Sequence, residues 1–118
     1  MKNKKLSILY EDKYIIVINK PSNLLTISTE KEKERTLFHY VYEYLKKKNK
    51  NNKVFIVHRL DKDTSGIVIF AKDEKTKFYL QDNWDKFKRE YVSVVYGKME
   101  NLLSPNMKKF YPIINILC

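Results

Sequence analysis

The sequence predicts a mixed α+β fold with a mainly antiparallel sheet and flanking helices. Short runs of β-branched and aromatic residues alternate along the chain with segments of helical apolar periodicity. The chain has 118 residues, of which 43% are hydrophobic, and this is enough for one modest core. The sequence shows no internal repeat. We therefore expect a single domain at most.

Two strands are predicted at the start of the chain. Leu6 to Tyr10 and Tyr14 to Asn19 are apolar runs around a polar break, which indicates a hairpin. Lys20-Pro21 is expected to end the second strand because proline cannot donate a ladder hydrogen bond. The polar stretch from Ser22 to Arg35 predicts a loop that either covers a ligand or is mobile, and Asn23 can take a positive φ in it.

Two helices are predicted from apolar residues that recur at intervals of three and four. Thr36 can cap the first helix, which ends in the lysine run 46–48, where positive charge complements the helix dipole. Asp73 can cap the second helix. Leu80, Trp84 and Phe87 keep helical spacing, so this helix is expected to reach Phe87. His39 is expected on a helix surface.

Three further strands complete the prediction. Val54 to Val57 and Ile67 to Ala71 are compact apolar runs typical of buried strands, and Glu90 to Tyr96 alternates like a strand. The last segment, Asn101 to Cys118, is not assigned to an element. The predicted sheet therefore draws its strands from both halves of the chain.

Charge and composition limit the classes of function. The 24 basic residues exceed the 14 acidic residues by ten, which favours a polyanionic partner such as nucleic acid or an anionic membrane surface. No apolar run approaches the roughly 18 residues that span a bilayer, so we expect a soluble, cytoplasmic protein. The single cysteine, Cys118, has no cysteine or histidine cluster around it, which argues against a structural zinc site. A DNA-binding protein fits the charge, but no helix-turn-helix or zinc module is recognisable.

The polar stretch between the two predicted buried strands is the best place for chemistry. Asp61 lies in it among Arg59, Lys62 and hydroxyl side chains, and Gly66 is expected to allow a tight backbone approach. Nearby cations favour the ionised carboxylate. From the residues alone, Asp61 could be a nucleophile, a general base, a metal ligand or half of a structural ion pair.

Residues 58–66 read HRLDKDTSG and resemble the HRLDxxTSG signature of RluA/RsuA-type RNA pseudouridine synthases. Three further segments agree in order with that family: ILYED at 8–12, IVINKP at 16–21 and REYVSVVYG at 89–97. The likeness covers Ser7 to about Lys98. It implies a pseudouridine synthase catalytic domain that acts on rRNA or tRNA without a metal or organic cofactor.

The resemblance also implies roles for individual residues. Asp61 matches the aspartate that attacks the target uridine, and Arg59 matches an arginine that fills the space left by a flipped base. Tyr91 matches a tyrosine that lies against that base, and Lys20, in the turn after the second strand, is expected to help shape the site. The signature residues His58 and Leu60 are assigned to the same substrate-binding region, although a histidine at a strand end is more typical of a hydrogen-bonded scaffold residue.

The resemblance stops before the end of the chain. Residues 1–99 are assigned to the N-terminal part of the catalytic domain and residues 100–118 to a divergent tail. The tail lacks the arginine-containing motif that pairs with the catalytic aspartate in the family, so a truncated product is expected. The alternative function is therefore a non-catalytic, RNA-binding remnant of such an enzyme.

Overall fold

Four antiparallel strands form the sheet of the first part of the chain, in the order β1-β2-β4-β3. They are β1 (Ile8–Glu11), β2 (Ile15–Lys20), β3 (Phe55–Ile56) and β4 (Gly66–Ala71). The computed structural model describes residues 6–94 and 113–117. The chain falls into two compact units, and the boundary along the chain lies between Asn83 and Trp84. The predicted α+β class with a mainly antiparallel sheet is confirmed.

The turn between β1 and β2 is built on Asp12. Its carboxylate accepts hydrogen bonds from the backbone N–H groups of Tyr14 (2.8 Å) and Ile15 (2.9 Å). Aspartate favours turns because its short side chain can bond backbone groups a few residues ahead. The hairpin predicted at this point is confirmed, with its strands displaced by about one residue from the predicted bounds.

The core lies on one face of the central strands. Ile16 pairs with Phe70 and Ile18 with Val68 across β2 and β4, and all four side chains are fully buried. Directly opposite residues of an antiparallel pair point to the same face, so these pairs form a continuous apolar layer. Phe38 of the first helix packs against Phe70, with 6.1 Å between ring centroids.

Helix α1 (Leu37–Lys48) buries its apolar residues at four-residue spacing, namely Leu37, Val41 and Leu45. The Thr36 hydroxyl caps the helix by accepting a hydrogen bond from the His39 N–H (3.1 Å). The cap, the apolar spacing and the lysine run in the last turn are all as predicted. His39 is a partly exposed residue that contacts Glu43 at 3.0 Å, as expected for a helix surface.

Helix α2 (Glu74–Asp82) begins at the predicted cap, where the Asp73 carboxylate accepts from the Thr76 N–H (2.7 Å). The prediction that the helix reaches Phe87 is wrong. Asn83 ends it as the C-cap, where the backbone leaves the helical conformation (φ −107°, ψ 11°) and the side-chain amide donates to the Tyr79 carbonyl (2.8 Å). Residues 84–86 form a 3₁₀ turn instead.

The second unit contains β5 (Glu90–Val94), which pairs in parallel with β6 (Ile113–Leu117). Trp84 and Phe87 form an edge-to-face pair with centroids 5.7 Å apart, and the Arg89 guanidinium lies 5.6 Å from the Trp84 ring. The predicted strand is confirmed as far as Val94, and its last two residues lie outside the described part. Over residues 6–94 and 113–117, no helix is long and apolar enough to cross a membrane.

Candidate active site

The signature loop, residues 58–65, connects β3 to β4. It enters β4 at Gly66, which pairs with Lys20 at the last position of β2. The loop therefore lies at the end of the sheet where β2 finishes and β4 begins. This is the strand-loop-strand setting that the sequence predicts for Asp61.

Gly66 follows the end of this loop, and Leu60 lies within it. Gly66 has a φ of +138°, which L side chains rarely adopt, so glycine is required by backbone conformation. The tight approach expected from sequence is not the reason, because a Cβ on Gly66 would meet its nearest neighbour, Leu60 Cδ1, at an ordinary 3.8 Å. Leu60 is 9% exposed, so its side chain anchors the loop in the core.

A second loop, residues 21–26, runs beside the signature loop and is hydrogen-bonded to it. The Thr26 hydroxyl bonds both backbone groups of Leu60, and the Leu24 N–H donates to the Lys62 carbonyl (3.1 Å). The Ser22 hydroxyl donates to the Asp63 carbonyl (2.8 Å). The sequence led us to expect either a cover over a ligand or a mobile segment, whereas this part of the loop is a support for the signature loop.

These supporting hydroxyls were not identified from the sequence. Thr26 and Ser22 lie in a polar segment without periodicity, and threonine and serine are common in loops. The available signal was the position of Thr26 between the apolar pair Leu24-Leu25 and the helix, since a hydroxyl that is buried among apolar residues needs a hydrogen-bond partner.

Lys20 is fully buried, and its ammonium group donates to three backbone carbonyls. They belong to Leu24 (2.6 Å), Pro21 (3.0 Å) and Lys62 (3.0 Å). Burial lowers the pKa of Lys20, and the negative charges of Asp63 and Asp61 oppose this shift. Lys20 therefore joins the end of β2 to both loops and adds positive charge beneath the signature loop.

His58 accepts a hydrogen bond at Nε2 from the backbone N–H of Ile69 (3.0 Å). Strand β3 has only two residues. The His58 imidazole bonds β4 just beyond the point where the pairing between β3 and β4 ends. The hydrogen bond expected of a histidine at a strand end is present, and the assignment of His58 to the substrate-binding region stays a prediction. An imidazole nitrogen that accepts this bond carries no proton, so the proton of the neutral ring is on Nδ1.

The side chains of Asp61 and Arg59 are exposed, whereas the side chain of Leu60 between them is buried. Arg59 and Asp63 do not form an ion pair with each other in the part of the chain that the structure describes. The Asp61 carboxylate likewise has no hydrogen-bond partner among the described residues. Both side chains are thus available to a ligand.

Tyr91 is a half-buried residue of β5 in the second unit. Its expected place against the base of a substrate stays a prediction, as do the substrate contacts expected of Arg59, Leu60 and Lys20. In residues 6–94 and 113–117, no three His, Cys, Asp or Glu side chains come together in a way that could hold a metal ion.

Comparison with known proteins decides the family. The RNA pseudouridylate synthase family matches residues 14–112 of this chain. The chain belongs to this family. The resemblance stated from the signature loop is therefore confirmed, and the match includes Asp61, Arg59 and Tyr91. The boundary expected at residue 99 stays a prediction.

Curated members of the family are similar over most of this chain. An uncharacterized RNA pseudouridine synthase of Mycoplasma genitalium is 41% identical over 97 residues, which are 80% of this chain and 30% of the relative. Ribosomal large subunit pseudouridine synthase D of Buchnera aphidicola is 38% identical over 96 residues, or 80% of this chain and 31% of that protein. The tRNA pseudouridine synthase C of Haemophilus ducreyi is 35% identical over 95 residues, 79% of this chain and 38% of the relative.

A solved structure agrees with the fold. Human RNA pseudouridylate synthase domain containing 4 superposes with a TM-score of 0.56 at 27% identity, and the match covers 68% of this chain and 30% of the human chain. The chain spans about a third of the length of the curated synthases it matches. Fold and family are thus shown for this segment of a synthase domain.

Proposed function

We propose that this chain carries the catalytic aspartate of an RNA pseudouridine synthase, and that Asp61 acts in converting uridine to pseudouridine in rRNA or tRNA. The observation that supports this most strongly is the position of Asp61. Its side chain is exposed, whereas the residue before it is buried and the carbonyl of the residue after it accepts two hydrogen bonds. A reactive carboxylate needs such a setting, since it must reach the substrate from a fixed backbone.

The reaction breaks the bond between N1 of uracil and C1′ of the ribose and forms a bond from C5 to the same carbon. The hydrogen on C5 leaves as a proton and N1 takes up a proton, so the product is an isomer of the substrate. Asp61 serves as the nucleophile that divides this rearrangement into easier steps. Because no redox change occurs, the chemistry requires no electron carrier, and side chains of the protein suffice.

Arg59 and Tyr91 are proposed to bind the flipped uridine. Extruding a nucleotide costs a few kcal/mol of stacking, which a planar guanidinium can partly replace. The exposed side chain of Arg59, two residues from Asp61, suits this role. Tyr91 would contact the base itself. One relative is named for the ribosomal large subunit and another for tRNA, and an enzyme that acts on rRNA or tRNA would work in the cytoplasm.

The first test is release of tritium from 5-tritiated uridine in separate rRNA and tRNA pools. We expect release by the purified chain, and we expect Asp61→Asn to abolish it, because an amide cannot act as the nucleophile. Asp63→Asn is the matched control, since it makes the same chemical change in the same loop at a position that the signature leaves open.

Two results would contradict the proposal. If Asp61→Asn and Asp63→Asn lost tritium release to the same extent, Asp61 would have no special role. Salt-sensitive RNA binding without any release, from a protein folded by circular dichroism, would favour the non-catalytic RNA-binding alternative.

A further inference from the structure

We propose that Thr26 is a positioning residue for Asp61, and that it acts by fixing the backbone of Leu60. This inference rests on the proposed function, because it assigns Thr26 a part in orienting the carboxylate. Thr26 lies outside the signature loop, in the supporting loop 21–26. Its contacts distinguish it from the other hydroxyl residues near the site.

A single hydroxyl group makes both contacts with Leu60. Thr26 Oγ1 accepts from the Leu60 N–H (3.1 Å) and donates to the Leu60 carbonyl (2.6 Å). Peptide groups are planar, so the Leu60 carbonyl lies in the same plane as the backbone nitrogen of Asp61. Fixing the Leu60 carbonyl therefore also fixes the orientation of the peptide group that joins Leu60 to Asp61.

Thr26 is itself held by helix α1. Its carbonyl accepts from the Phe38 N–H (2.9 Å), and the carbonyl of the preceding Leu25 accepts from the Leu37 N–H (2.8 Å). These are among the N–H groups at the start of α1 that have no partner within the helix. Thr26 is 2% exposed, so water does not compete for its hydroxyl. The helix, Thr26 and Leu60 thus form a continuous hydrogen-bonded path.

The other side of Asp61 is held as well. The Lys62 carbonyl accepts from the Leu24 N–H and from Lys20 Nζ, and the Asp61 carbonyl accepts from the Thr64 N–H (3.1 Å). With the backbone fixed on both sides, the Asp61 carboxylate can move mainly by rotation about its own side-chain torsions. Misplacement of a reactive group by about 1 Å can cost roughly 100-fold in rate.

The decisive variants are Thr26→Val and Thr26→Ser. Valine keeps the shape and removes both hydrogen bonds, whereas serine keeps the hydroxyl. We expect Thr26→Val to lower kcat for uridine isomerisation about 10- to 100-fold with KM for RNA changed less than about twofold. We expect Thr26→Ser to recover most of the lost kcat.

A variant matched for loss of stability separates positioning from general destabilisation. Val41→Ala removes volume from the buried face of α1 at a position outside the signature loop and the supporting loop. We expect it to leave kcat close to that of the wild type below its unfolding temperature. The proposal is overturned if Val41→Ala lowers kcat as much as Thr26→Val does, or if Thr26→Val leaves kcat unchanged.

Amide hydrogen exchange tests the same contact without turnover. The Thr64 N–H reports on the turn that contains Asp61, and it makes no bond to Thr26. We expect its exchange to be at least about tenfold faster in Thr26→Val and unchanged in Thr26→Ser. Failure of the wild type to release tritium would reject the proposed function alone, whereas unchanged Thr64 exchange in Thr26→Val would reject the role of Thr26.

Discussion

At the scale of single residues, two backbone conformations shape the loops around Asp61. Asn23 has a φ of +65° in the supporting loop and Gly66 has a φ of +138° at the end of the signature loop. Asparagine tolerates the left-handed region better than other residues that carry a Cβ, and glycine has no Cβ to clash. The ability of Asn23 to take a positive φ was predicted from sequence, because that preference belongs to the residue type.

Substitution of Asn23 tests this backbone requirement. We expect Asn23→Val to lower the free energy of unfolding by about 1–2 kcal/mol, because a β-branched residue is strained at positive φ. Asn23→Gly should change it by less than about 1 kcal/mol, since glycine adopts this conformation without a clash. Urea denaturation followed by circular dichroism measures both. Equal midpoints for the two variants would show that the left-handed conformation is unimportant for stability.

At the scale of elements, Glu11 joins three parts of the first unit. Its carboxylate in β1 accepts from Lys72, just after β4 (2.7 Å), from the Tyr44 hydroxyl of α1 (2.8 Å) and from Lys48 at the end of α1 (3.2 Å). Burial by itself would raise the pKa of Glu11, but the hydrogen bonds from Lys72, Tyr44 and Lys48 outweigh it and lower the pKa. The carboxylate thus ties the helix to the end of the sheet far from Asp61.

This cluster should stabilise the fold in a pH-dependent way. A carboxyl whose pKa is lowered on folding contributes its stability above its unfolded pKa and loses it as pH falls through the folded value. We expect Glu11→Gln to lower the free energy of unfolding at pH 7 by about 1–3 kcal/mol and to flatten its decline in acid. Urea titrations between pH 7 and pH 3 measure this, with the exposed Glu30→Gln as control. A decline in acid as steep as that of the wild type would exclude Glu11 as its source.

At the scale of the whole molecule, the two units differ in how their strands are covered. In the first unit, β2 and β4 lie between other strands and their core-facing side chains are fully buried. In the second unit, β5 has a partner strand on one side among the described residues, and its Val92 and Val94 are 65% and 74% exposed. Two paired strands alone are at best marginally stable in water.

Hydrogen exchange in the intact chain should reveal this difference. We expect the amides of Ile16, Ile18 and Val68 to exchange slowest, near the rate set by global unfolding. The amides of β5 should exchange at least about 100-fold faster, because little apolar surface protects their hydrogen bonds. Nuclear magnetic resonance with residue assignments measures this. Equal protection in β4 and β5 would mean that both units unfold together.

The sequence by itself determined the elements that depend on neighbours along the chain. The Thr36 and Asp73 caps, the apolar spacing of α1 and the apolar run of β2 all involve residues within a few positions of one another. The family followed from a nine-residue signature and three further segments, and the place of Asp61 in a loop followed from the apolar runs on either side of it.

Only the tertiary structure decided what holds that loop. Thr26 and Leu60 are 34 positions apart, and Lys20 bonds the carbonyl of Lys62 across 42 positions. The His58 bond to Ile69 likewise depends on where β3 stops pairing with β4. A hydroxyl or an ammonium group bonds whatever acceptor the fold brings within about 3 Å, and spacing along the chain does not encode that distance. The sequence therefore indicated the candidate reactive residue, whereas the packing of strands, helix and loops determined its support.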